Sequence, residues 1–307
     1  MKGYSRPAAV GRCTAGFSVL LRAASVCAVL LAAPGCVDIV GADLGHYTER
    51  EEKRFTVSGT PDVTLGTFDG SIEVRPWDKS EVLVIVEKRA RTKSAVETID
   101  IRTEHDGNRV TVEARLADHH GFSLRFNDSR AAKLIVSVPA SANVVAKSGD
   151  GAIDIERVDG HIRLRSGDGS IRARDVNGEL DVHTGDGSIT LGGKLTSVRA
   201  HSGDGNVRVE VAEGSSAGAD WDITTGDGSV TLAIPDGFGA ELDAHTGDGG
   251  ISTRDVTISN VSGRIGRNSL RGRLGDGGHT VRVRTGDGSI TLARARTTKP
   301  MTAEREP

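Results

Sequence analysis

The sequence predicts an all-β chain: a single-chain β-solenoid, β-helix-like, with coils of about 18 residues and Gly-Asp-Gly turns. Three observations carry this expectation. A Gly-Asp-Gly motif returns with its aspartate at Asp150, Asp168, Asp186 and Asp204, a constant step of 18, then at Asp227, Asp248, Asp276 and Asp287 after gaps of 23, 21, 28 and 11. Apolar residues stand at fixed places around each aspartate. The composition, with 40 glycines and 3% aromatic residues in 307, has about twice the usual glycine and few rings to fill a globular core.

The columns read as strands. Six residues before each aspartate stand Val144, Ile162, Leu180, Val198, Trp221, Leu242, Leu270 and Val281. Three after come Ile153, Ile171, Ile189, Val207, Val230, Ile251 and Ile290, with His279 the exception. Charged residues such as Arg163, Asp181, Arg199 and Asp222 fall between, so the period is two and each strand has one dry face. Stacked at about 4.8 Å, coils would place Ile162, Leu180 and Val198 in one core column and Ile153, Ile171 and Ile189 in another. Each such burial contributes about 1.5–3 kcal/mol.

Gly-Asp-Gly between two strands is a tight turn, because glycine enters positive φ cheaply and aspartate can bond nearby backbone. Alone it would signal hairpins and an antiparallel β-meander, which is the alternative fold. The second turn of each repeat argues for coils. In "AIDIERVDGHIRL" a continuous strand facing Ile153 and Ile155 inward would bury Arg157 and expose Val158, whereas a corner after Ile155 turns Val158 inward.

Upstream, "FTVSG", "DVTLGTFDGSIEVRPWD", "EVLVIVEKRA" and "KLIVSVPA" continue the strand pattern, and Asp69-Gly70-Ser71-Ile72 reads as a decayed copy of the turn. The chain divides into a signal peptide over 1–35, a tether over 36–54, one repeat domain over 55–292 and a disordered tail over 293–307. The first segment has basic Lys2, Arg6, Arg12 and Arg22, then "AASVCAVLLAA", a run shorter than the ~20 apolar residues that span a bilayer. It resembles a bacterial lipoprotein signal, in which small residues precede a lipidated cysteine, here Cys36. An ordinary cleaved signal and an uncleaved anchor are the alternatives. The resemblance implies an exported chain anchored by lipid in the cell envelope, on its periplasmic or surface side. Cys13 and Cys27 lie in the discarded segment, leaving no internal disulfide.

The quoted repeats, with "LIVSVPASANVVAKSGDGAI", "VTLAIPDGFGAELDAHTGDGGI" and "GDGGHTVRVRTGDGSITL", resemble the bacterial adhesin-like β-strand repeat proteins of unknown function, over roughly Phe55 to Leu292. That resemblance implies a β-solenoid domain on exported, often membrane-anchored proteins. It brings no catalytic residues.

The aspartates themselves have two readings: corners whose carboxylates accept their own turn's N–H groups beside Lys147, Arg165, Arg273 and Arg284, or a calcium ladder through Asp150, Asp168, Asp186 and Asp204. His183, His201 and His245 share one column, where neighbours would share a transition metal or answer mild acid, and His119-His120 form a second pair. A net charge of −3 argues against nucleic acid as partner. No nucleophile elbow, phosphate loop or zinc spacing is present. The expected function is non-enzymatic: an envelope lipoprotein presenting a polar surface for adhesion, binding or spacing, toward an envelope protein or glycan, without a resident cofactor. The alternatives are a calcium-dependent or carbohydrate-active β-helix and an accessory to envelope-stress sensing.

Overall fold

The computed structural model describes residues 37–43, 46–117, 129–262 and 268–295. The expected signal peptide, Cys36, the His119-His120 pair and the tail beyond 295 lie outside the described residues.

The N-terminal strands are β1 (Val37–Asp43), β2 (His46–Thr56), β3 (Asp62–Thr67), β4 (Ile72–Trp77) and β5 (Glu81–Ala90). A single helical turn α1 (Lys93–Val96), capped by Thr92, leads to β6 (Ile99–Asp106), β7 (Arg109–Leu116) and β8 (Ala131–Pro139). The repeat supplies β9 (Asn143–Ser148), β10 (Ile153–Glu156), β11 (Asp159–Ser166), β12 (Ile171–Thr184), β13 (Ile189–Ser202) and β14 (Val207–Val211). There follow β15 (Trp221–Thr225), β16 (Val230–Ile234), β17 (Ala240–Thr246), β18 (Ile251–Arg254), β19 (Ile258–Ser262), β20 (Ser269–Leu274), β21 (Thr280–Thr285) and β22 (Ile290–Arg294).

The protein is all-β, with one long, mostly parallel, solenoid-like sheet of 22 strands among the described residues. Strands preceding a Gly-Asp-Gly corner form one ladder, in the order β3, β9, β11, β12, β13, β15, β21, β17. Strands following the corner form a second, in the order β4, β10, β12, β13, β14, β16, β22, β18. β12 and β13 belong to both because each turns a second corner within its length. Beyond β3 and β4 the ladders continue in parallel with β7 and β8. Antiparallel strands then extend them: β6 on β7 and, at the other end, β20 and β19 on the first, and β5, β2 and β1 beyond β8 on the second.

Inward side chains of both ladders merge into one apolar cluster. Ile153, Ile171 and Ile189 lie in register and are fully buried, as are Ile162, Leu180 and Val198 to within 3%. The second corner works through backbone strain. Arg157 and Asp175 adopt φ of 54° and 52°, which non-glycine residues enter only at a cost. That kink leaves Arg157 exposed and turns Val158 and Val176 inward, both fully buried. Parallel pairing across the repeat sets aside the meander for these coils.

Three expectations need correction. Residues 46–54, read as part of a tether, lie in β2, which pairs with β5 from Tyr47↔Ala90 to Thr56↔Glu81. Lys88, on the inward side of β5, explains the pairing: its ammonium meets Glu51 and, at 3.4 Å, Glu49. Burial alone would raise the Glu51 pKa, but bonds and charge from Lys88 and then Lys53 together hold it below the ordinary carboxylate value. The coils also do not stack in chain order. β21–β22 enters between β15–β16 and β17–β18, and β3–β4 sits between β7–β8 and β9–β10. Finally, Asp276 is not in the corner row, because β20 runs antiparallel to β17 and its turn is a separate one.

Candidate functional site

At each corner the work expected of aspartate is done by the hydroxyl two residues earlier. Ser202 Oγ accepts from Gly205 N–H at 3.0 Å and donates to Gly187 O of the preceding coil at 2.8 Å. Ser166 does the same between Gly169 N–H and Gly151 O, and Thr246 between Gly249 N–H and Gly288 O. These hydroxyls are buried, together with Thr184, Thr225 and Thr285. All six tie their corner to a carbonyl of the neighbouring coil, and Ser166, Ser202, Thr246 and Thr285 also close their own turn by accepting from its N–H. A buried hydroxyl must be bonded in such a way. The signal was in the sequence: every corner of the row carries Ser or Thr there, whereas Asp276 follows Leu274 instead. Glycine is required beside it, since a Cβ on Gly187 would collide with the Gly169 carbonyl oxygen.

The carboxylates of Asp150, Asp168, Asp186 and Asp204 are therefore free of the turn. They are exposed and make no hydrogen bond or ion pair among the described residues. Arg165 turns instead to Asp181 at 3.5 Å, Arg284 to Asp243 at 3.2 Å and Arg273 to Glu241 at 2.7 Å. The acids form a row, one to a coil. Among the described residues no three His, Cys, Asp or Glu side chains gather as a metal's donors, whereas calcium takes six to eight oxygen ligands.

On the outer face of the first ladder, His183 and His201 stand on adjacent coils with rings stacked at 4.9 Å and 10°. Burial first, then His201 and Arg165, hold the His183 pKa below the ordinary imidazole value, against the pull of Asp181. His245 is separated from them by β15 and β21.

Beside this pair, a groove of about 320 Å³ crosses β3, β9, β11, β12 and β13. Its polar lining is Asp62, Asn143, His161, Arg163, Glu179, Asp181, Ser197 and Arg199. Rung neighbours bond one another: Asn143 Nδ2 to Asp62 at 2.9 Å, His161 Nδ1 to Glu179 at 3.1 Å and Arg163 Nε to Asp181 at 3.0 Å. Arg199, exposed, has no such partner among the described residues. Its guanidinium offers planar donors to an arriving carboxylate or hydroxyl.

Fold and site together define a class: an all-β protein whose long, mostly parallel sheet presents a charged outer face. The chain belongs to the family described as Toastrack DUF4097, whose model matches residues 63–293. No curated protein matches it. Among solved structures, it is similar to a "putative cell adhesion protein" from Clostridium sporogenes, at 13% identity, TM-score 0.33, covering 80% of this chain and 99% of that one. A "putative adhesin" from Bacteroides fragilis gives 9%, 0.36, 79% and 96%, and one from Parabacteroides merdae 8%, 0.38, 79% and 95%. At those scores the likeness carries no functional argument, and the family rests on the sequence match.

Proposed function

We propose that the chain is a non-enzymatic cell-envelope protein whose eighteen-residue coils form a rigid rack for an adhesive or spacing face. The observation that supports this most is the groove with its Arg199 unpaired among the described residues, while the groove's other charged side chains are bonded to rung neighbours. Rigid strands hold such a face better than loops do, and a ligand's carboxylate or hydroxyl would meet Arg199 without first breaking an ion pair. The partner is an envelope glycan or protein bearing those groups, and the chain is held at the membrane by lipid on Cys36.

The test is binding of the immobilised full chain to arrayed acidic and neutral glycans, alongside Arg199→Ala. Retention lost in the variant at an unchanged melting temperature supports the reading. Equal retention by both removes the groove from it. Calorimetric titration with calcium separates this function from a calcium-dependent one, which heat release and a raised melting temperature would favour. Labelling with a palmitate analogue, parent against Cys36→Ser, tests the anchor.

A further inference from the structure

The coil β21–β22 lies out of chain order, between β15–β16 and β17–β18. Connection length does not dictate this. Residues 212–220 carry the chain from β14 to β15 on the next rung, whereas the shorter stretch 235–239 carries it from β16 past a rung to β17. The interior does not dictate it either. Trp221, Val281 and Leu242 share one buried column, and Thr225, Thr285 and Thr246 play one corner role, so every rung offers its neighbours an apolar column and a corner hydroxyl of the same kind.

The outward column next to Trp221 is different. In spatial order it reads Arg163, Asp181, Arg199, Asp222, Arg282, Asp243, each in register with the next. Antiparallel β20 then adds Arg271 opposite Asp243. The sign alternates at every step, and none of these residues is buried. Stacked in chain order, β17 would lie on β15 and set Asp222 against Asp243, and like charges directly opposed destabilise neighbouring strands. Ion pairs close the two outer steps, Arg163 to Asp181 at 3.0 Å and Arg271 to Asp243 at 3.2 Å. At the inserted strand it is Arg284, beside the column, that reaches the other Asp243 oxygen at 3.2 Å, while Arg282 acts through its register position between Asp222 and Asp243.

We infer that this Arg/Asp column is the device that sets strand order at the C-terminal end, admitting β21–β22 between two coils that would otherwise stack directly. Apolar burial holds the rungs together, and the outward charges choose which rung lies beside which.

Cysteine pairs on the second ladder, away from the column, read the order. In the full chain with Cys13, Cys27 and Cys36 changed to Ser, Thr231→Cys with Thr291→Cys joins coils adjacent in the structure, and Thr231→Cys with Ser252→Cys joins coils adjacent only in chain order. Rungs are about 4.8 Å apart and a disulfide spans Cα separations of roughly 4.4–6.8 Å, so a pair two rungs apart does not close. After refolding and oxidation the parent closes the first pair and not the second. With Asp222→Asn, Arg282→Gln and Asp243→Asn, closure of the first pair falls at least twofold and the second appears. Exchanging the signs, Arg282→Asp with Asp243→Arg, makes the second pair predominate. A control, Arg172→Gln with Arg208→Gln, keeps the parent pattern. Parent-level closure of the first pair in the neutralised chain overturns the inference, whether or not the sign-exchanged chain folds. So does an equal loss in the control.

Discussion

The coils of residues 143–211 and those of 221–294 are built from the same parts and assembled by different rules. In the first region each coil lies on the one before it, and Ile153, Ile171, Ile189 and Val207 follow one another down a column in the order of synthesis. In the second, the last coil enters between two earlier ones. Corner hydroxyls and buried columns are the same in both. The lesson is that a repeat specifies the surface each rung offers and leaves the order of rungs to whatever distinguishes one rung from another. In the regular region, neighbours in sequence are also nearest in space, which favours their pairing through low loop-closure cost. In the irregular region that advantage is overridden.

The largest expected break is Ile171→Asp, which buries a charge between two occupied rungs. It should cost more than about 4 kcal/mol and remove several coils together, measured as lost β-signal in circular dichroism and a collapsed melt. Ile251→Asp, on the half-exposed end strand β18, should cost about 1 kcal/mol in the same assay. Equal losses would show that the two regions do not differ in how rungs support one another.

Trp221→Ala comes next, at about 3–5 kcal/mol. Trp221 stands at the boundary, fully buried, its ring 5.3 Å from Phe238 and its N–H donating to Thr196 O at 3.2 Å. Limited proteolysis should cut after residue 211 first and leave the regular coils protected.

A smaller effect sharpens what the regions share. Thr184→Val and Thr285→Val keep shape and remove a buried hydroxyl that donates to a neighbouring corner, at 2.9 Å to Gly169 O and 2.7 Å to Gly228 O. Each should cost about 1–3 kcal/mol in denaturant titration. Similar costs are expected, since the bond is the same whether the neighbouring coil is the one just before in the chain, as for Thr184, or an earlier one, as for Thr285.

The smallest concerns His183, which takes a proton less readily folded than unfolded. Stability should therefore decline slightly as pH drops below about 6.5 and level off below the lowered folded value. His183→Gln should flatten that decline in melts between pH 7.5 and 5.5. The site is exposed, so the difference should be small.

Much of the fold was legible because strands announce themselves locally. The alternation around Ile162 and Leu164, the parity break at Arg157 and the return of Gly-Asp-Gly follow from period-two geometry and need no knowledge of partners. The corner chemistry was misassigned because aspartate and the hydroxyl recur together, and sequence alone does not say which side chain turns inward at Ser166. β2 was hidden for a related reason: "EREEKR" reads as solvated, and Lys88, more than thirty residues away, is what makes Glu51 fit a sheet. The groove joins residues from Asp62 to Arg199, a collection that only stacking creates.

By itself the sequence determined that this chain would be strands and corners with one dry face, because those preferences are set by residues within one turn of each other. Which strand lies beside which was decided only in the tertiary structure. There the apolar columns repeat one pattern from rung to rung, and discrimination falls to charges such as Asp222, Arg282 and Asp243, whose meaning depends on what stands opposite.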